Sequence, residues 1–468
     1  MLELSVRSNG SSLTILCLIV LLGGYGCSSG ESGPGGASLD AASDSVSYEG
    51  EGEGEGEGEG EGEGGGEGEG EGEGEGEGEG PFSPPASMDW PTEEGVEAEY
   101  FQQWFYGATL DASGRLNILW RGKEKSDGLA QTGGKILMSR SNEDVSAFDA
   151  PVVVKSYEDN YSAYEGGGVV STSTGYGMTW LSFPPSGQAA RIVFRKSSAL
   201  DLSGNDFTVS SGTGVKRPYL VRESDDSLVV IWEEGNDIML RHTVDGGQTF
   251  SEAKKVNTMG DVGKRSAAGF TSSGALVVVY QSGSTGNTTV VVAISSDKGD
   301  SFDSFVDLGM AMDPPGTFVD PHMSLGLASN LHVVWHRDDK GELGGEGKQW
   351  EAYLNSSFDG VEWPQASVLP SAIGNSPRIW TGRGARLHVS GKENALLTDV
   401  YYVNSFDQGA TWGEPALVPV SDGWIIMDHQ IVADMEQDRL HIVWNEWKQQ
   451  GQSEQRIQVV TVDPNGGL

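Results

Sequence analysis

The sequence predicts an all-β fold, namely a β-propeller of four-stranded antiparallel blades, with seven blades preferred and six as the alternative. The first observation is that strongly apolar, strand-like runs recur seven times beyond Trp90, roughly fifty to sixty residues apart. The second is that each run follows one short strand and precedes further short strands, and the third is that helical periodicity is nearly absent. Repeats of four antiparallel strands are typical of propeller blades. The seven runs begin at Arg115, Gly177, Ser227, Ala275, Leu331, Arg386 and Arg439.

Residues 1–26 are predicted to be a signal peptide. The run from Leu13 to Leu22 holds about ten apolar residues, which is too short to span a bilayer and typical of the apolar part of an export signal. The segment "GGYGCSSG" that follows resembles a bacterial lipoprotein signal, which implies lipidation at Cys27. An ordinary cleaved signal is the alternative. The predicted location is therefore outside the cytoplasm, either lipid-anchored in the cell envelope or secreted, with membrane contact through the lipid alone.

Residues 27–85 are predicted to be a disordered acidic stalk. From Glu49 to Gly80 the chain alternates glutamate and glycine almost without interruption, and such a segment has no apolar surface to bury. The formal net charge is -39, of which fifteen charges come from these glutamates, so the rest of the chain still carries -24. This acidity argues against nucleic acid as a partner.

Residues 86–468 are predicted to form the propeller. Both cysteines, Cys17 and Cys27, precede this region, so it can contain neither a disulfide nor a thiolate metal ligand. The last repeat ends after its third strand. We therefore expect the segment from Ser87 to Val96 to supply the missing strand and close the ring, which removes exposed sheet edges.

A turn motif is predicted to connect the third and fourth strands of the blades. The stretch "TVDGGQTF", from Thr243, has relatives that begin at Ser295, Ser356 and Ser405. These motifs resemble the Asp-box, or BNR repeat, of sialidase-like propellers, and the resemblance covers nearly all of residues 99–468. We expect each aspartate to accept backbone hydrogen bonds, each glycine to adopt positive φ and each ring to pack on the blades. The residues concerned are Asp245, Gly247, Phe250, Asp297, Gly299, Phe302, Asp359, Trp363, Asp407, Gly409 and Trp412.

No metal ion and no cofactor are predicted. A calcium loop needs more oxygen ligands than the one or two carboxylates that each of these turns offers. The protein is expected to be a monomer.

Candidate ligand-binding residues recur at the leading end of the first strand of each blade, where they are expected to surround the mouth of the central channel. Three arginines there would suit an anionic ligand, because guanidinium groups bind carboxylates in a bidentate manner. The candidates are Tyr164, Glu165, Arg217, Arg265, Asp320, His322, Arg378, Asp428 and His429.

Several functions fit these candidates, and binding of a glycan or another surface ligand, possibly anionic, is preferred. The resemblance to sialidases implies the alternative of an exo-glycosidase. In that case Arg217, Arg265 and Arg378 would hold a sugar carboxylate, Tyr164 and Glu165 would form the nucleophile pair, and Asp320 or Asp428 would be the acid. Against it, the first blade lacks the arginine of the family signature, and adjacent residues of a strand point to opposite sides.

Two further alternatives are a polysaccharide lyase and a protein-interaction scaffold. For lyase chemistry, His322, His429 and Arg378 supply the required residue types. The scaffold remains open because fold does not determine function.

The tryptophans divide into two groups by their position in the repeat. Those at the repeated register of the second strand are predicted to fill the core, whereas Trp380 and Trp424 are predicted to be exposed platforms for sugar rings. The core group includes Trp120, Trp232, Trp335 and Trp444. The long polar connection from His336 to Trp350 is a candidate specificity loop, with disorder as the alternative.

Overall fold

The structure is a computed structural model, and the part of the chain that it describes is almost entirely β-strand and turn. It describes residues 2–8, 11–17, 86–87, 100–124, 134–157, 166–182, 189–198, 202–257, 262–284, 287–309, 318–326, 330–337, 350–384, 386–393, 399–420, 423–434, 439–448 and 455–462. The predicted stalk, Cys27, and the pair Tyr164 and Glu165 lie outside these residues. Within them, no helix is long and apolar enough to cross a membrane.

Seven four-stranded antiparallel sheets form the blades, which confirms the predicted fold class and the preferred blade number. Blade 1 comprises Tyr100–Leu110, Leu116–Glu124, Gly134–Arg140 and Val152–Ser156, and blade 2 comprises Gly167–Thr172, Gly175–Ser182, Ala190–Ser198 and Asp206–Gly212. Blade 3 comprises Val215–Arg222, Leu228–Glu234, Asp237–Thr243 and Lys254–Lys255, and blade 4 comprises Gly263–Phe270, Leu276–Ser284, Asn287–Ser295 and Ser304–Asp307. Blade 5 comprises Phe318–Leu325, Leu331–Arg337, Glu351–Ser357 and Ser367–Val368, and blade 6 comprises Asn375–Thr381, Leu387–Lys392, Val400–Ser405 and Ala416–Leu417.

Blade 7 closes the ring with a strand from the other end of the chain. Its first three strands are Trp424–Asp434, Arg439–Lys448 and Gln455–Val462, and its fourth is Ala86–Ser87. Ala86 and Ser87 pair with Val459 and Gln458. The closing strand therefore shares Ser87 with the expected segment and begins one residue earlier, at Ala86. The first strands of successive blades adjoin one another, and that of blade 7 adjoins that of blade 1.

A separate hairpin pairs Leu2–Ser8 with Ser11–Cys17 in antiparallel fashion. It forms its own two-stranded sheet, distinct from the seven blades.

The core lies between the blades. Tryptophans at one register of the second strand have no exposed surface, namely Trp120, Trp180, Trp232, Trp335 and Trp444. Each core cluster joins two neighbouring blades; for example, Trp120 of blade 1 packs in one cluster with Val443 and Ile457 of blade 7. Because apolar surface is buried mainly between repeats, each blade depends on its neighbours for stability.

The turns after the third strands of blades 3, 4 and 6 share one hydrogen-bond pattern. In blade 3, Asp245 accepts hydrogen bonds from the Thr243 hydroxyl (2.7 Å), the Thr249 backbone N–H (2.9 Å) and the Thr249 hydroxyl (2.6 Å), while the Gly247 N–H donates to Thr243 Oγ1 (2.8 Å). Blades 4 and 6 repeat this pattern around Asp297 and Asp407. In blade 5, Asp359 accepts the N–H groups of the second and third residues after it (2.8 and 2.9 Å), so this turn is tighter.

Each of these turns also packs against the preceding blade. The ring of Phe250 stacks on Phe207 of blade 2, with ring centroids 4.8 Å apart. Gly247 has a φ of 89°, and a Cβ atom at this position would lie 2.1 Å from Cε1 of Phe194, also in blade 2. Gly299, Gly360 and Gly409 approach the third strand of the preceding blade in the same way. The glycine is therefore required by the contact between blades as well as by the turn.

Candidate functional site

The first strands of blades 3 to 6 contain a β-bulge at the same register. Four non-glycine residues with positive φ occupy it: Arg217 (48°), Arg265 (49°), Asp320 (55°) and Ser376 (47°). At each bulge the pairing with the second strand shifts its register. Bulges redirect side chains, and strained backbone of this kind is concentrated at functional sites. Arg217, Arg265 and Asp320, all predicted from the sequence, thus occupy equivalent positions on adjoining strands.

A second register contributes partners that the sequence analysis missed. It is the position that follows the core tryptophan, or its equivalent, in the second strand, and we call it the latch register. Glu233, His336 and Lys392 occupy it in blades 3, 5 and 6, and all three are buried. A polar residue at the end of an otherwise apolar strand, as in "IWEE" and "VVWHR", was the available signal.

Latch residues bind the backbone of the next blade near its bulge. The Arg265 N–H donates to Glu233 Oε1 (2.7 Å), and the Ser376 N–H donates to His336 Nδ1 (3.3 Å). Lys392 instead donates to the carbonyl oxygens of Ile426 (3.1 Å) and Met427 (3.0 Å) in blade 7. Each of these bonds ties one blade to the next at the ends of the strands that carry the charged groups.

We define the mouth cluster as the charged residues at, beside and opposite these bulges, together with Asp428 of blade 7, which contacts Arg378: Lys216, Arg217, Glu233, Lys264, Arg265, Asp320, Arg378, Lys392 and Asp428. Within it, Arg217 Nη1 contacts both carboxylate oxygens of Glu233, at 2.8 and 2.7 Å. Lys216 Nζ approaches the same carboxylate at 3.6 Å. The Glu233 carboxylate is therefore shared by two cations of its own blade and a backbone N–H of the next.

Asp320 is the centre of a second group of ion pairs that crosses four blades. Its carboxylate lies 3.2 Å from Arg378 Nη1 and 3.8 Å from Arg265 Nη1, and Arg378 Nη2 lies 3.3 Å from Asp428 Oδ1. Burial alone would raise the pKa of Asp320, but the charges of Arg378 and Arg265 outweigh it and hold that pKa well below its usual range. Two of the three predicted arginines, Arg265 and Arg378, thus share Asp320, whereas Arg217 is paired with Glu233.

The histidines near the mouth cluster are neutral; His336 and His429 are buried and His322 is half-buried. His322 Nδ1 accepts a hydrogen bond from the Ile379 N–H (3.3 Å). Burial and the charge of Arg378 lower the pKa of His322 to about 3, and burial likewise lowers the pKa of His336 to about 3. The pKa of His429, also buried, falls well below its usual value. These imidazoles carry no charge at neutral pH, so they can take part in hydrogen bonds but do not attract anions.

Lys392, the latch residue of blade 6, has a cationic side chain. Burial lowers its pKa to about 8, although nearby Asp428 acts in the opposite direction. Its ammonium group therefore remains mostly charged at neutral pH, where it adds to the positive charge of the mouth cluster.

The predicted aromatic platforms are not exposed. Trp380 is half-buried and packs against the core cluster that joins blades 6 and 7. Trp424 is 9% exposed and lies beneath Arg456, whose guanidinium carbon is 4.1 Å from the ring centroid. The expectation of exposure was wrong because both residues lie in first strands, which are packed on each side by other blades. Most of the connection from His336 to Trp350 lies outside the described residues.

Among the described residues, no group of three or more His, Cys, Asp or Glu side chains is arranged to hold a metal ion. The carboxylates of the mouth cluster instead face arginine and lysine. The arrangement can orient an anionic group by charge and hydrogen bonding.

Comparison with known proteins links this chain to solved propeller structures only at the level of fold. No protein-family model and no curated protein sequence matches the chain. The polysaccharide lyase Uly1 has a TM-score of 0.52 and 10% identity, covering 80% of this chain and 93% of its own. A PL25 ulvan lyase bound to -[GlcA(1-4)Rha3S]- has a TM-score of 0.50 and 12% identity, covering 77% and 94%. An α-L-arabinofuranosidase from Fusarium graminearum has a TM-score of 0.47 and 10% identity, covering 82% and 98%.

Proposed function

We propose that this protein is an exported bacterial surface protein whose propeller binds an anionic glycan at the mouth cluster. The observation that carries the proposal is the charge of that cluster, which contains six cationic side chains and three carboxylates, in a chain whose formal net charge is -39. A local excess of cations in a strongly acidic protein attracts anionic ligands selectively. Neutral, buried histidines beside the cations add hydrogen-bonding groups without adding charge.

The nature of the ligand is inferred from the chemistry of these cations. Guanidinium groups bind carboxylates and sulfates through paired hydrogen bonds, whereas ammonium groups act as point charges. Uronate and sulfated sugars present such groups at fixed spacing. The saccharide in the solved PL25 ulvan lyase, written GlcA(1-4)Rha3S, is of this type and supports an acidic glycan as the ligand class.

Binding can be tested with two lysine pairs that carry the same charge. Lys216→Ala with Lys264→Ala removes two charges from the mouth cluster, whereas Lys254→Ala with Lys255→Ala removes two from the outer strand of blade 3. A charged hydrogen bond contributes about 1.5–3 kcal/mol. We therefore expect the first variant to lose at least about tenfold in affinity for glucuronate-containing oligosaccharides, and the second to lose less than about twofold. The measurement is isothermal titration calorimetry, with neutral oligosaccharides of equal length as the reference ligands.

Equal loss in both variants would show that binding follows the overall charge of the protein. Equal affinity for neutral and acidic oligosaccharides would remove the basis for an anionic ligand.

Polysaccharide lyase activity is the second candidate. His322 and Arg378 supply the residue types that β-elimination next to a uronate needs, a proton acceptor and a cation that neutralises the carboxylate. His322 is a weak base, because its pKa is lowered to about 3 and its Nδ1 already accepts the Ile379 N–H, so glycan binding is the preferred proposal. Two solved structures with TM-scores of at least 0.50 are named as lyases. Incubation of the same oligosaccharides with the protein separates the two candidates, because a lyase releases an unsaturated product that a binding protein does not.

The sialidase alternative has less support. Its nucleophile pair, Tyr164 and Glu165, lies outside the described residues and remains a prediction. The three arginines that would hold the sugar carboxylate already have carboxylate partners in Glu233, Asp320 and Asp428. A protein-interaction scaffold remains the alternative if no glycan binds.

We also propose that the turns after the third strands are Asp-boxes of the sialidase-like type. The hydrogen-bond pattern repeated around Asp245, Asp297 and Asp407 supports this assignment. In these turns the aspartate has a structural role, because its oxygens bind groups of its own turn.

The proposed organisation of the chain is a signal peptide over 1–26, an acidic stalk over 27–85 and the propeller over 86–468, with a lipid on Cys27. In a bacterial host fed a labelled fatty acid, we expect the wild type to take up the label and Cys27→Ser to lose it. Cys17→Ser is the matched control and should keep the label, because it changes the other cysteine without removing the acceptor. Labelling that survives Cys27→Ser would contradict the proposed anchor.

A further inference from the structure

Blades 3 and 4 carry the same Lys-Arg dipeptide at the same structural position. Lys216 precedes the bulge of blade 3 and Arg217 lies in it; Lys264 and Arg265 have the same two positions in blade 4. The φ values of the two arginines are 48° and 49°. The backbone conformation and the register of the two sites therefore match closely.

The two sites differ in the residue that opposes the lysine. Lys216 is paired across the strands with Glu233, whereas Lys264 is paired with Gln281. The single difference at the latch register exchanges a carboxylate for a neutral amide of nearly the same size.

That exchange leaves the cations of blade 4 without the neutralisation found in blade 3. Glu233 contacts Arg217 at 2.7 Å and Lys216 at 3.6 Å. Within the described residues, Lys264 has neither an ion pair nor a hydrogen-bonded side chain as partner, and Arg265 has a single 3.8 Å ion-pair contact, with Asp320.

We propose that Lys264 and Arg265 form an anion subsite, in which a carboxylate or sulfate group of a ligand supplies the negative charge that Glu233 supplies in blade 3. Gln281 is the residue that leaves the two cations without this charge. This inference rests on the proposed function and assigns one part of it, the contact with an acidic group of the sugar.

The surroundings of the subsite allow a ligand to reach it. The Arg265 side chain is 28% exposed, and Lys264 and Gln281 are half-buried. Asp320 is the neighbouring carboxylate, but it is held at 3.2 Å by Arg378, which offsets its repulsion of an incoming anion. A ligand oxyanion would have a free ammonium group and a guanidinium group with unused donors as partners, which favours charge-assisted hydrogen bonds.

The test supplies the missing carboxylate from the protein itself. Gln281→Glu should neutralise the subsite, whereas Gln281→Met keeps position 281 uncharged at similar side-chain size. The probe is sodium sulfate, and the readout is Tm of the full chain against sodium chloride at equal ionic strength. Sulfate stabilises folded proteins generally by exclusion from their surface, and this effect is common to all variants. Binding at the subsite adds a stabilisation that depends on sulfate concentration.

We expect wild type and Gln281→Met to show the same rise in Tm with sulfate, including a part that saturates as the subsite fills. Gln281→Glu should show only the smaller, non-saturating rise that comes from exclusion of sulfate from the protein surface. Lys264→Met should lose the saturating part as well, which covers the case in which Gln281→Glu folds poorly. Identical sulfate responses in wild type, Gln281→Glu and Lys264→Met would overturn the subsite.

The same variants separate this inference from the proposed function. If sulfate binds as expected but no acidic oligosaccharide does, the subsite stands and glycan binding fails. If acidic oligosaccharides bind wild type and Gln281→Glu equally well, glycan binding stands and the subsite is wrong.

Discussion

Replacement of Asp320 by asparagine is expected to destabilise the propeller by about 3 kcal/mol, because it leaves Arg378 and Arg265 facing each other without their shared carboxylate. Asp428→Asn removes another carboxylate partner of Arg378 and is the matched control. The Asp428 side chain is 55% exposed, compared with 18% for Asp320. Exposed ion pairs contribute little, so this second change should cost less than about 1 kcal/mol.

Urea unfolding of both variants at neutral pH measures the difference. Similar losses of unfolding free energy in Asp320→Asn and Asp428→Asn would mean that Arg378 does not depend on Asp320 in particular, which would contradict the arrangement described for the mouth cluster.

The effect of Asp320→Asn should also depend on pH. The folded-state pKa of Asp320 is lowered by Arg378 and Arg265, so its carboxylate contributes stability that is fully present above the unfolded pKa of about 3.9. That contribution is lost as pH falls towards the folded pKa. The difference in stability between wild type and variant should therefore be constant near neutral pH and shrink below about pH 4.

Gly247→Ala is expected to cost about 2–5 kcal/mol, through two separate effects. A φ of 89° is unfavourable for any residue with a Cβ atom, which accounts for about 1–2 kcal/mol. The new Cβ would also lie 2.1 Å from Cε1 of Phe194, and overpacking of a core contact costs about 1–3 kcal/mol. Because Phe194 belongs to the preceding blade, the substitution strains the contact between blades 2 and 3.

Gly235→Ala isolates the first effect from the second. Gly235 has a φ of 64°, but a Cβ atom there would meet nothing within 4 Å. We expect this control to lose only about 1–2 kcal/mol. Chemical unfolding of both variants checks the result. If Gly247→Ala costs no more than Gly235→Ala, the turn glycine has no special role in the contact between blades.

Features that depend on short sequence separations were predicted well. The turn around Asp245 is held by bonds between residues two to four positions apart, so the motif carries nearly all the information that its geometry requires. The register of the core tryptophans follows in the same way from a period of the repeat. The seven blades and the closure at Ser87 could be inferred because a repeated sheet with an incomplete last member has few ways to bury its edges.

The mouth cluster was predicted only in part. Alignment of the first strands identified Arg265, Asp320 and Arg378 as equivalent or nearby positions. It did not identify which charges pair, because residues such as Asp320 and Arg378 are 58 positions apart. It also missed Glu233 and Lys392, since they lie on second strands, where an apolar pattern leads one to expect core residues.

The prediction of exposed tryptophans failed for a related reason. Trp380 and Trp424 lie at or next to the ends of their strands. Whether a side chain there is exposed depends on whether the neighbouring blade or another side chain covers it. Arg456, which covers Trp424, is 32 residues further along the chain.

The sequence by itself determined the architecture of this protein, because hydrophobic period, turn chemistry and the number of repeats act locally and are repeated seven times. Only the tertiary structure decided how the charges of the mouth cluster are used. Electrostatic pairing depends on distances of a few ångströms between side chains from different blades, and these distances follow from the closure of the ring and from bulges that redirect Arg217, Arg265 and Asp320. The contrast between Glu233 and Gln281 therefore became meaningful only when blades 3 and 4 could be compared in space.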